Sequence, residues 1–216
     1  MHQGLYLVTP DWDDTDRLVE TTRAALHAGA AMLQYRHKGA SAQLRREQAA
    51  ALLALCRRFN RPLVINDHVG LCLTLDADGV HVGGTDASVA EARAMLGAGK
   101  IVGASCYGEL ALARAAQRDG ASYVAFGGFY PSRVKQYSFR TDAAIVTQAK
   151  AEIALPLVVI GGMTPENAAP LVGRGADMVA AISSVYTAAV PGAVVREFDS
   201  LFAERAKSCA NHGAAV

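Results

Sequence analysis

Eight short runs of apolar residues, each followed by a longer mixed segment, constrain the fold of this chain more than any other feature. Several of these runs are apolar at every position, as in Leu157-Val158-Val159-Ile160. Uninterrupted runs are typical of parallel strands that have helices on one face and a core on the other. We predict strands over residues 5–9, 32–36, 63–66, 79–82, 101–105, 123–127, 157–161 and 178–183.

The segments between the predicted strands carry apolar residues every three or four positions, which is the pattern of amphipathic helices. Eight strand–helix units in 216 residues match the lower size limit of a (β/α)8 barrel. The sequence therefore predicts an α/β protein, a single-domain TIM barrel over residues 1–216 with its core at about residues 5–205. A short third helix is predicted between Asp67 and Leu75, and the tail after Cys209 is predicted to fray.

A doubly wound open sheet is the competing architecture, because it is also built from strand–helix units. Its nucleotide-binding motifs are missing from the sequence. The segment Gly97-Ala98-Gly99-Lys100 precedes a predicted strand instead of opening a helix, so it matches neither a P-loop nor a dinucleotide-binding turn. The barrel is the favoured fold.

Composition and charge exclude several classes of protein. Hydrophobic residues make up 51% of the chain and charged residues 19%, with a formal net charge of +1. These values exclude a disordered chain and argue against binding of nucleic acid through general positive charge. No apolar stretch is long enough for a membrane span, and the N-terminal segment is acidic where a signal peptide would be apolar. The four widely spaced cysteines predict neither structural zinc nor a disulfide framework. We expect a cytoplasmic protein without nucleic-acid or membrane partners; a homo-oligomer is compatible with the sequence.

Polar residues at the carboxyl ends of the strands are the candidates for function, since TIM barrels carry their reactive groups there. Gln34, Arg36 and Lys38 share parity and are predicted to point to one side, away from Tyr35 and His37. Two cations then converge on the barrel mouth and favour a phosphate or diphosphate site. An internal ion pair or plain solvent exposure is the alternative.

Two aspartates follow neighbouring strands, Asp67 after the third and Asp86 after the fourth. Adjacent parallel strands bring such carboxylates close together, where they repel unless a cation intervenes. Oxygen ligands without cysteine or histidine favour Mg²⁺. The alternative is that each aspartate caps the helix that follows it.

The segment Gly161-Gly162-Met163-Thr164-Pro165 predicts a strand end, a close backbone approach and a helix that starts with Thr at the N-cap and Pro at the first position. Together with Ile182-Ser183-Ser184 it favours a phosphate monoester site after strands seven and eight. Turn geometry alone is the alternative. The basic loop 127–136, which holds Ser132 and Lys135, is either a lid over a charged substrate or an ordinary exposed loop.

These motifs together resemble the thiamine-phosphate synthase family of TIM-barrel transferases, over nearly the whole chain from residue 5 to Ser184. Leu33-Gln34-Tyr35-Arg36-His37-Lys38 is similar to the family's QxRxK strand. Ile65-Asn66-Asp67 and the segment 77–86 are similar to its IND and ADGVHxG motifs, and 129–135 to its phosphate loop.

The resemblance implies a transferase that joins a pyrimidine methyl diphosphate to a thiazole phosphate with Mg²⁺ as cofactor. It implies that Asp67 and Asp86 hold the metal and that Ser105, Lys135, Arg36 and Lys38 act in catalysis. The implied contacts of the pyrimidine diphosphate are Gln34, Arg36, Lys38, Asn66, Ser105 and Lys135. Those of the thiazole phosphate are Ser132, Arg133, Val134, Gly162, Ile182 and Ser183.

The sequence departs from the family pattern in three places. Val134 stands where a threonine is usual and removes a hydroxyl from the thiazole phosphate site. Gly84-Thr85 replace the usual pair before Asp86, and His37 replaces an acidic residue on the outward side of its strand.

The chemistry implied by the resemblance is dissociative: diphosphate leaves, and the thiazole nitrogen attacks the resulting cation with its own lone pair. It requires no general base, in agreement with a mouth that offers cations, aspartates and a serine but no evident set of nucleophile, histidine and acid. The alternatives are a thiazole tautomerase, in which Arg36, Lys38, Asp67, Asp86 and Lys135 would be idle, and a non-catalytic barrel that binds a phosphate ligand.

Overall fold

The computed structural model describes residues 3–84, 87–132 and 139–213, with side chains as far as Lys207. Eight parallel strands close into a barrel in chain order, with β8 paired to β1, which confirms the predicted fold class. The strands are β1 Gly4–Val8, β2 Met32–Tyr35, β3 Leu63–Asn66, β4 Gly79–Val82, β5 Ile101–Tyr107, β6 Tyr123–Phe126, β7 Leu157–Ile160 and β8 Met178–Ala181.

Helices surround the barrel and cover its outer face. They are α1 Thr15–His27, α2 Ala42–Arg58, α3 Val69–Leu75, α4 Val89–Leu96, α5 Leu110–Arg118, α6 Ala144–Glu152, α7 Pro165–Gly173, α8 Ser183–Tyr186 and α9 Pro191–Gly213. Helix α3 is short, as predicted. The helix-to-strand turns at Gly29, Gly120 and Gly175 have positive φ, as helix ends that stop in the left-handed region require.

Four predicted strands, 5–9, 32–36, 123–127 and 157–161, are off by one residue at one or both ends, and β5 runs two residues further than predicted, to Tyr107. Two larger predictions are wrong. The eighth strand stops at Ala181, because its pairing to β1 ends there, and Ser183 already starts α8. The predicted fraying after Cys209 is also wrong, since α9 continues to Gly213. The earlier turns of α9 carry the buried side chains Val195, Phe198 and Phe202.

Two apolar layers meet at the strands. The larger lies between the strands and the helices, and the smaller lies inside the barrel. The inner layer consists of Tyr6, Val8, Met32, Val64, Tyr123, Ala125, Val158, Met178 and Ala180. It fills the barrel from within and forms the floor on which the candidate site sits. Within the described ranges, no helix has the length and apolar character needed to cross a bilayer.

Candidate active site

A cavity of about 440 Å³ opens at the carboxyl ends of the strands, a volume typical of small-molecule sites. It joins the two regions that the sequence suggested as separate anion sites. Gln34, Arg36, Asn66 and Ser105 line it from strands two to five, and Gly162 lines it from the loop after β7. The remaining predicted residues on its wall are Ser132, Ile182 and Ser183.

The strand-two side of the cavity is organised by an acidic residue that sequence reasoning missed. Asp11 Oδ1 accepts a hydrogen bond from Arg36 Nη1 at 3.0 Å and another from the Lys38 backbone amide at 3.0 Å. The Arg36 side chain is only 15% exposed, so Asp11 compensates its charge. The predicted parity holds: His37 points outward and lies 3.4 Å from Gln48 on α2.

Lys38 and Asp67 form an ion pair, but neither lies on the cavity wall, and Asp67 lines a second pocket together with Arg45 and His68. Asp67 adopts a left-handed backbone conformation with φ of 64°. It does not cap the helix after it, because the N-cap of α3 is His68. Likewise the N-cap of α4 is Ser88, whose hydroxyl accepts from the Glu91 amide. The alternative reading, in which the two aspartates serve as N-caps, is therefore wrong.

Four of the predicted site residues lie outside the described residues: Asp86, Arg133, Val134 and Lys135. Among the described residues, no three side chains of histidine, cysteine, aspartate or glutamate come together as metal ligands. The predicted magnesium pair of Asp67 and Asp86 therefore includes one residue outside the described part of the chain. The contact of Asp67 with an ammonium group indicates that this carboxylate attracts a cation, and its oxygens are of the type that Mg²⁺ prefers.

The opposite side of the cavity is built on close backbone packing. Gly162 has φ of 61°, and a Cβ atom there would lie 2.3 Å from the carbonyl oxygen of Pro131. Asn167 Nδ2 donates to the Gly162 carbonyl at 2.9 Å, and Thr164 caps α7 with Pro165 at its first position. The predicted close approach and helix start are confirmed. The glycine lets the loop after β6 lie directly on the loop after β7.

Ser184, which the sequence grouped with Ile182 and Ser183 in the predicted phosphate monoester site, contributes a buried polar group. It lines the cavity beside Ser183. Its hydroxyl oxygen is buried and has no hydrogen-bond partner within the described part of the chain. A buried hydroxyl of this kind costs free energy unless a ligand or water satisfies it.

A chain of hydrogen bonds crosses the cavity floor. Gln34 Nε2 donates to the Tyr6 hydroxyl at 2.8 Å, and the Tyr6 and Tyr123 hydroxyls are 2.7 Å apart. The Tyr123 hydroxyl lies 2.9 Å from His81 Nδ1, and His81 Nε2 lies 2.9 Å from Ser105 Oγ. Burial raises the pKa of both tyrosines, so each phenol keeps its proton.

Tyr6, His81 and Tyr123 are not among the predicted site residues, which all come from the strand ends and the loops after them. The three residues lie inside the strands, one layer deeper. The signal was nonetheless present, because strand parity applied to β1, β4 and β6 points all three inward. Gly103 also belongs to this arrangement, since a Cβ atom there would lie 2.0 Å from Cζ of Tyr123.

His81 and Ser105 form a serine–histidine contact that the sequence patterns did not indicate. The second ring nitrogen of His81 faces the phenol of Tyr123, whereas the serine-hydrolase arrangement holds that nitrogen with a carboxylate. A phenol that donates to the ring does not stabilise an imidazolium. The pair is therefore suited to hydrogen bonding with a ligand, and not to generating a serine nucleophile.

Comparisons with known proteins agree on one family. The family model described as thiamine monophosphate synthase matches residues 5–185. The thiamine-phosphate synthase of Janthinobacterium sp. (strain Marseille) is 63% identical over 201 residues, which is 93% of this chain and 97% of that protein. That of Methylobacillus flagellatus is 53% identical over 200 residues, covering 93% and 95% of the two chains. The solved thiamine phosphate pyrophosphorylase from Pyrococcus furiosus has a TM-score of 0.83 and 29% identity, over 94% of this chain and 96% of that one.

Proposed function

This chain belongs to the thiamine monophosphate synthase family, and from that premise we propose how its cavity performs the reaction of the family. The enzyme joins an aminopyrimidine methyl diphosphate to a thiazole phosphate and releases diphosphate, which yields thiamine phosphate. The observation that carries the proposal is the continuity of the cavity: one space reaches from Arg36 and Asn66 to Gly162 and Ser183. Two phosphorylated substrates can therefore meet within it.

The pyrimidine diphosphate occupies the side formed by strands two to five. Arg36 and Asn66 contact the diphosphate from the cavity wall, and Lys38 contacts it from the rim. Gln34 and Ser105 contact the pyrimidine ring from the floor. Lys135 reaches the diphosphate from the loop after β6. This arrangement places two or three cations around the group that leaves, without any large net charge on the protein.

Asp67 and Asp86 would hold Mg²⁺ beside the diphosphate. When bound there, the ion supplies positive charge that favours departure of the diphosphate. Two carboxylates are an ordinary protein contribution to such a site, because Mg²⁺ completes its shell with water and substrate phosphate. Lys38 then exchanges its contact with Asp67 for one with the diphosphate.

The chemical step needs positioning and charge more than proton transfer. The bond between the methylene carbon and the bridging oxygen breaks, and its electron pair leaves with the diphosphate. The thiazole nitrogen then uses its lone pair to form the new carbon–nitrogen bond. Arg36 and Lys38 stabilise the charge on the leaving group, and the cavity wall holds the thiazole in line with the pyrimidine.

The thiazole phosphate occupies the side formed by strands seven and eight. Gly162, Ile182 and Ser183 contact it there, and Ser132, Arg133 and Val134 contact it from the loop after β6. We add Ser184, because a phosphate oxygen would satisfy its buried hydroxyl. We place the reaction in a reducing cytoplasm, which suits the free thiols of Cys56, Cys72 and Cys106.

A coupled assay tests the proposal. The purified protein is mixed with the pyrimidine diphosphate, the thiazole phosphate and MgCl₂, and thiamine phosphate is measured with and without a chelator. We expect product and diphosphate in equal amounts, and at least a tenfold loss of rate with the chelator. Isomerisation of a thiazole phosphate without any diphosphate consumption would instead identify a tautomerase, and binding of either substrate without turnover would identify a non-catalytic barrel.

A further inference from the structure

We propose that His81 is a positioning residue which fixes Ser105 as a hydrogen-bond donor toward the substrate. The proposal rests on the proposed function and deepens it. It follows from the order of donors and acceptors along the floor of the cavity. His81 is 8% exposed and Tyr123 is 2% exposed, so their hydrogen bonds form largely away from water and are costly to leave unmade.

The first hydrogen bond of this series determines the direction of donation along the others. The amide nitrogen of Gln34 donates to the Tyr6 oxygen, so the Tyr6 hydrogen is directed to Tyr123 at 2.7 Å. The Tyr123 hydrogen is then directed to His81 Nδ1 at 2.9 Å. Because a neutral imidazole carries one hydrogen, and Nδ1 accepts, the hydrogen of His81 is on Nε2.

The last link determines the role of Ser105. His81 Nε2 donates to Ser105 Oγ at 2.9 Å, so the serine uses one lone pair on the histidine and keeps its own hydrogen for another acceptor. Ser105 lines the cavity. The acceptor is therefore a substrate atom, and a ring nitrogen of the aminopyrimidine has the required chemistry.

The opposite direction conflicts with the first link. If His81 carried its hydrogen on Nδ1, it would donate to Tyr123, and Tyr123 would donate to Tyr6. The Tyr6 hydrogen would then face the amide nitrogen of Gln34, which is itself a donor. Two donors facing one another in a buried site are strongly unfavourable. The geometry also restricts rotation, because the His81 and Tyr123 rings stack at 5.6 Å.

The tautomer can be measured without any substrate. Long-range proton–nitrogen correlation spectra of the nitrogen-15-labelled protein report which ring nitrogen of a histidine carries hydrogen, and the signals of His81 are assigned by their loss in His81→Gln. We expect hydrogen on Nε2. A neutral ring with its hydrogen on Nδ1 would overturn the proposal, and this result is readable even if the protein makes no thiamine phosphate.

A double-mutant cycle tests whether the chain acts through Ser105. Tyr123→Phe removes the donor to Nδ1 and should lower kcat/KM for the pyrimidine diphosphate by about tenfold, as expected for one buried hydrogen bond. In a Ser105→Ala background the same substitution should change kcat/KM by less than about twofold. An equal loss in both backgrounds would show that Tyr123 does not act through Ser105.

Tyr35→Phe is the matched control for loss of a buried tyrosine hydroxyl. Tyr35 is 1% exposed, and its hydroxyl donates to Gln48 Oε1 at 3.0 Å on the outer face of the barrel. We expect kcat/KM within about twofold of the wild type, although the free energy of unfolding falls by the usual amount for one such bond.

Two substitutions of His81 test its role directly. His81→Gln can still present an amide donor to Ser105 and should retain more activity than His81→Leu. Equal activities of the two variants would contradict the assigned role.

Discussion

The ammonium group of Lys38, on the loop after β2, contacts the carboxylate of Asp67 at the end of β3. The two groups neutralise one another, and neither lies on the cavity wall. In the proposed reaction each exchanges this contact for another, since Lys38 turns to the diphosphate and Asp67 to Mg²⁺. In that proposal, the ion pair would hold both charges in place until the substrate and the metal bind.

Asp67→Asn should lower Mg²⁺-dependent turnover at least tenfold, about 1.4 kcal/mol of transition-state stabilisation. It should also raise the Mg²⁺ concentration at half-maximal rate, because an amide is a weaker ligand than a carboxylate. Steady-state kinetics at varied MgCl₂ measure both effects. Asp76→Asn is the control: Asp76 also has positive φ, at 53°, and pairs with Lys100 at 2.5 Å, but it lies at the other end of the barrel. Equal kinetics for Asp67→Asn and the wild type would remove Asp67 from the metal site.

Gly162→Ala should impair binding of the thiazole phosphate by at least tenfold. The added Cβ atom would lie 2.3 Å from the Pro131 carbonyl oxygen, at a backbone with φ of 61°, so the loops after β6 and β7 must separate. Gly173→Ala, in the helix of the same strand–helix unit, is the control, because a Cβ atom there meets nothing within 4 Å. Calorimetric titration with the thiazole phosphate should show unchanged affinity in the control and a large loss at Gly162.

Ser184→Ala should act on stability and on binding in opposite directions. Its hydroxyl oxygen is buried without a partner among the described residues, so its removal should leave Tm unchanged or raise it. The affinity for the thiazole phosphate should fall about fivefold, as expected for one lost hydrogen bond. Thermal melting and titration of the same preparation measure both quantities. A lower Tm with unchanged affinity would show that Ser184 serves the fold alone.

Replacing the partly buried Asp199 on α9 by asparagine should stabilise the protein, by an amount that depends on pH. Burial raises the pKa of its carboxyl, against a smaller lowering by a hydrogen bond from the Leu5 backbone. Since the folded pKa lies above the unfolded one, the folded protein holds the proton more tightly, and ionised Asp199 is destabilising above its folded pKa. Asp199→Asn should therefore raise Tm at neutral pH, and this advantage should vanish as the pH falls through the pKa of Asp199.

Thermal melts of the wild type and Asp199→Asn across the acid range provide that measurement. Glu197→Gln is the control, because it changes the net charge by the same amount at an exposed position of the same helix. A Tm difference for Asp199→Asn that stays constant from neutral to acid pH would contradict the assignment.

The fold was predictable because it depends on local patterns of apolar residues that can be recognised in the sequence. Uninterrupted apolar runs such as Leu157-Val158-Val159-Ile160 indicate buried parallel strands, and the observed β7 covers that run. The start of α7 was also predictable, because Thr164 and Pro165 have strong positional preferences at a helix N-terminus. Both the strand and the helix start depend on residues that are close together in the sequence.

The partners of the site residues were less predictable, because they come from distant parts of the chain. Asp11 lies 25 residues from Arg36, and Tyr123 lies 42 residues from His81. Strand parity predicts that His81 and Tyr123 face inward, but no periodicity in the sequence predicts that the residues of either pair touch each other. These contacts arise only when the barrel closes, which brings inward-facing side chains of β1, β2, β4, β5 and β6 to one layer.

In the proposed reaction, the carboxyl-terminal mouth of the barrel holds a divalent ion and the diphosphate together. The most direct test is a crystal structure of the protein with the pyrimidine diphosphate and Mn²⁺ in place of Mg²⁺, with anomalous scattering used to locate the metal. We predict one metal peak between the carboxylates of Asp67 and Asp86, bridged to diphosphate oxygens, with Lys38 moved onto the diphosphate. A metal bound away from Asp67, or a diphosphate seated at Gly162 with the Lys38–Asp67 pair intact, would contradict the account.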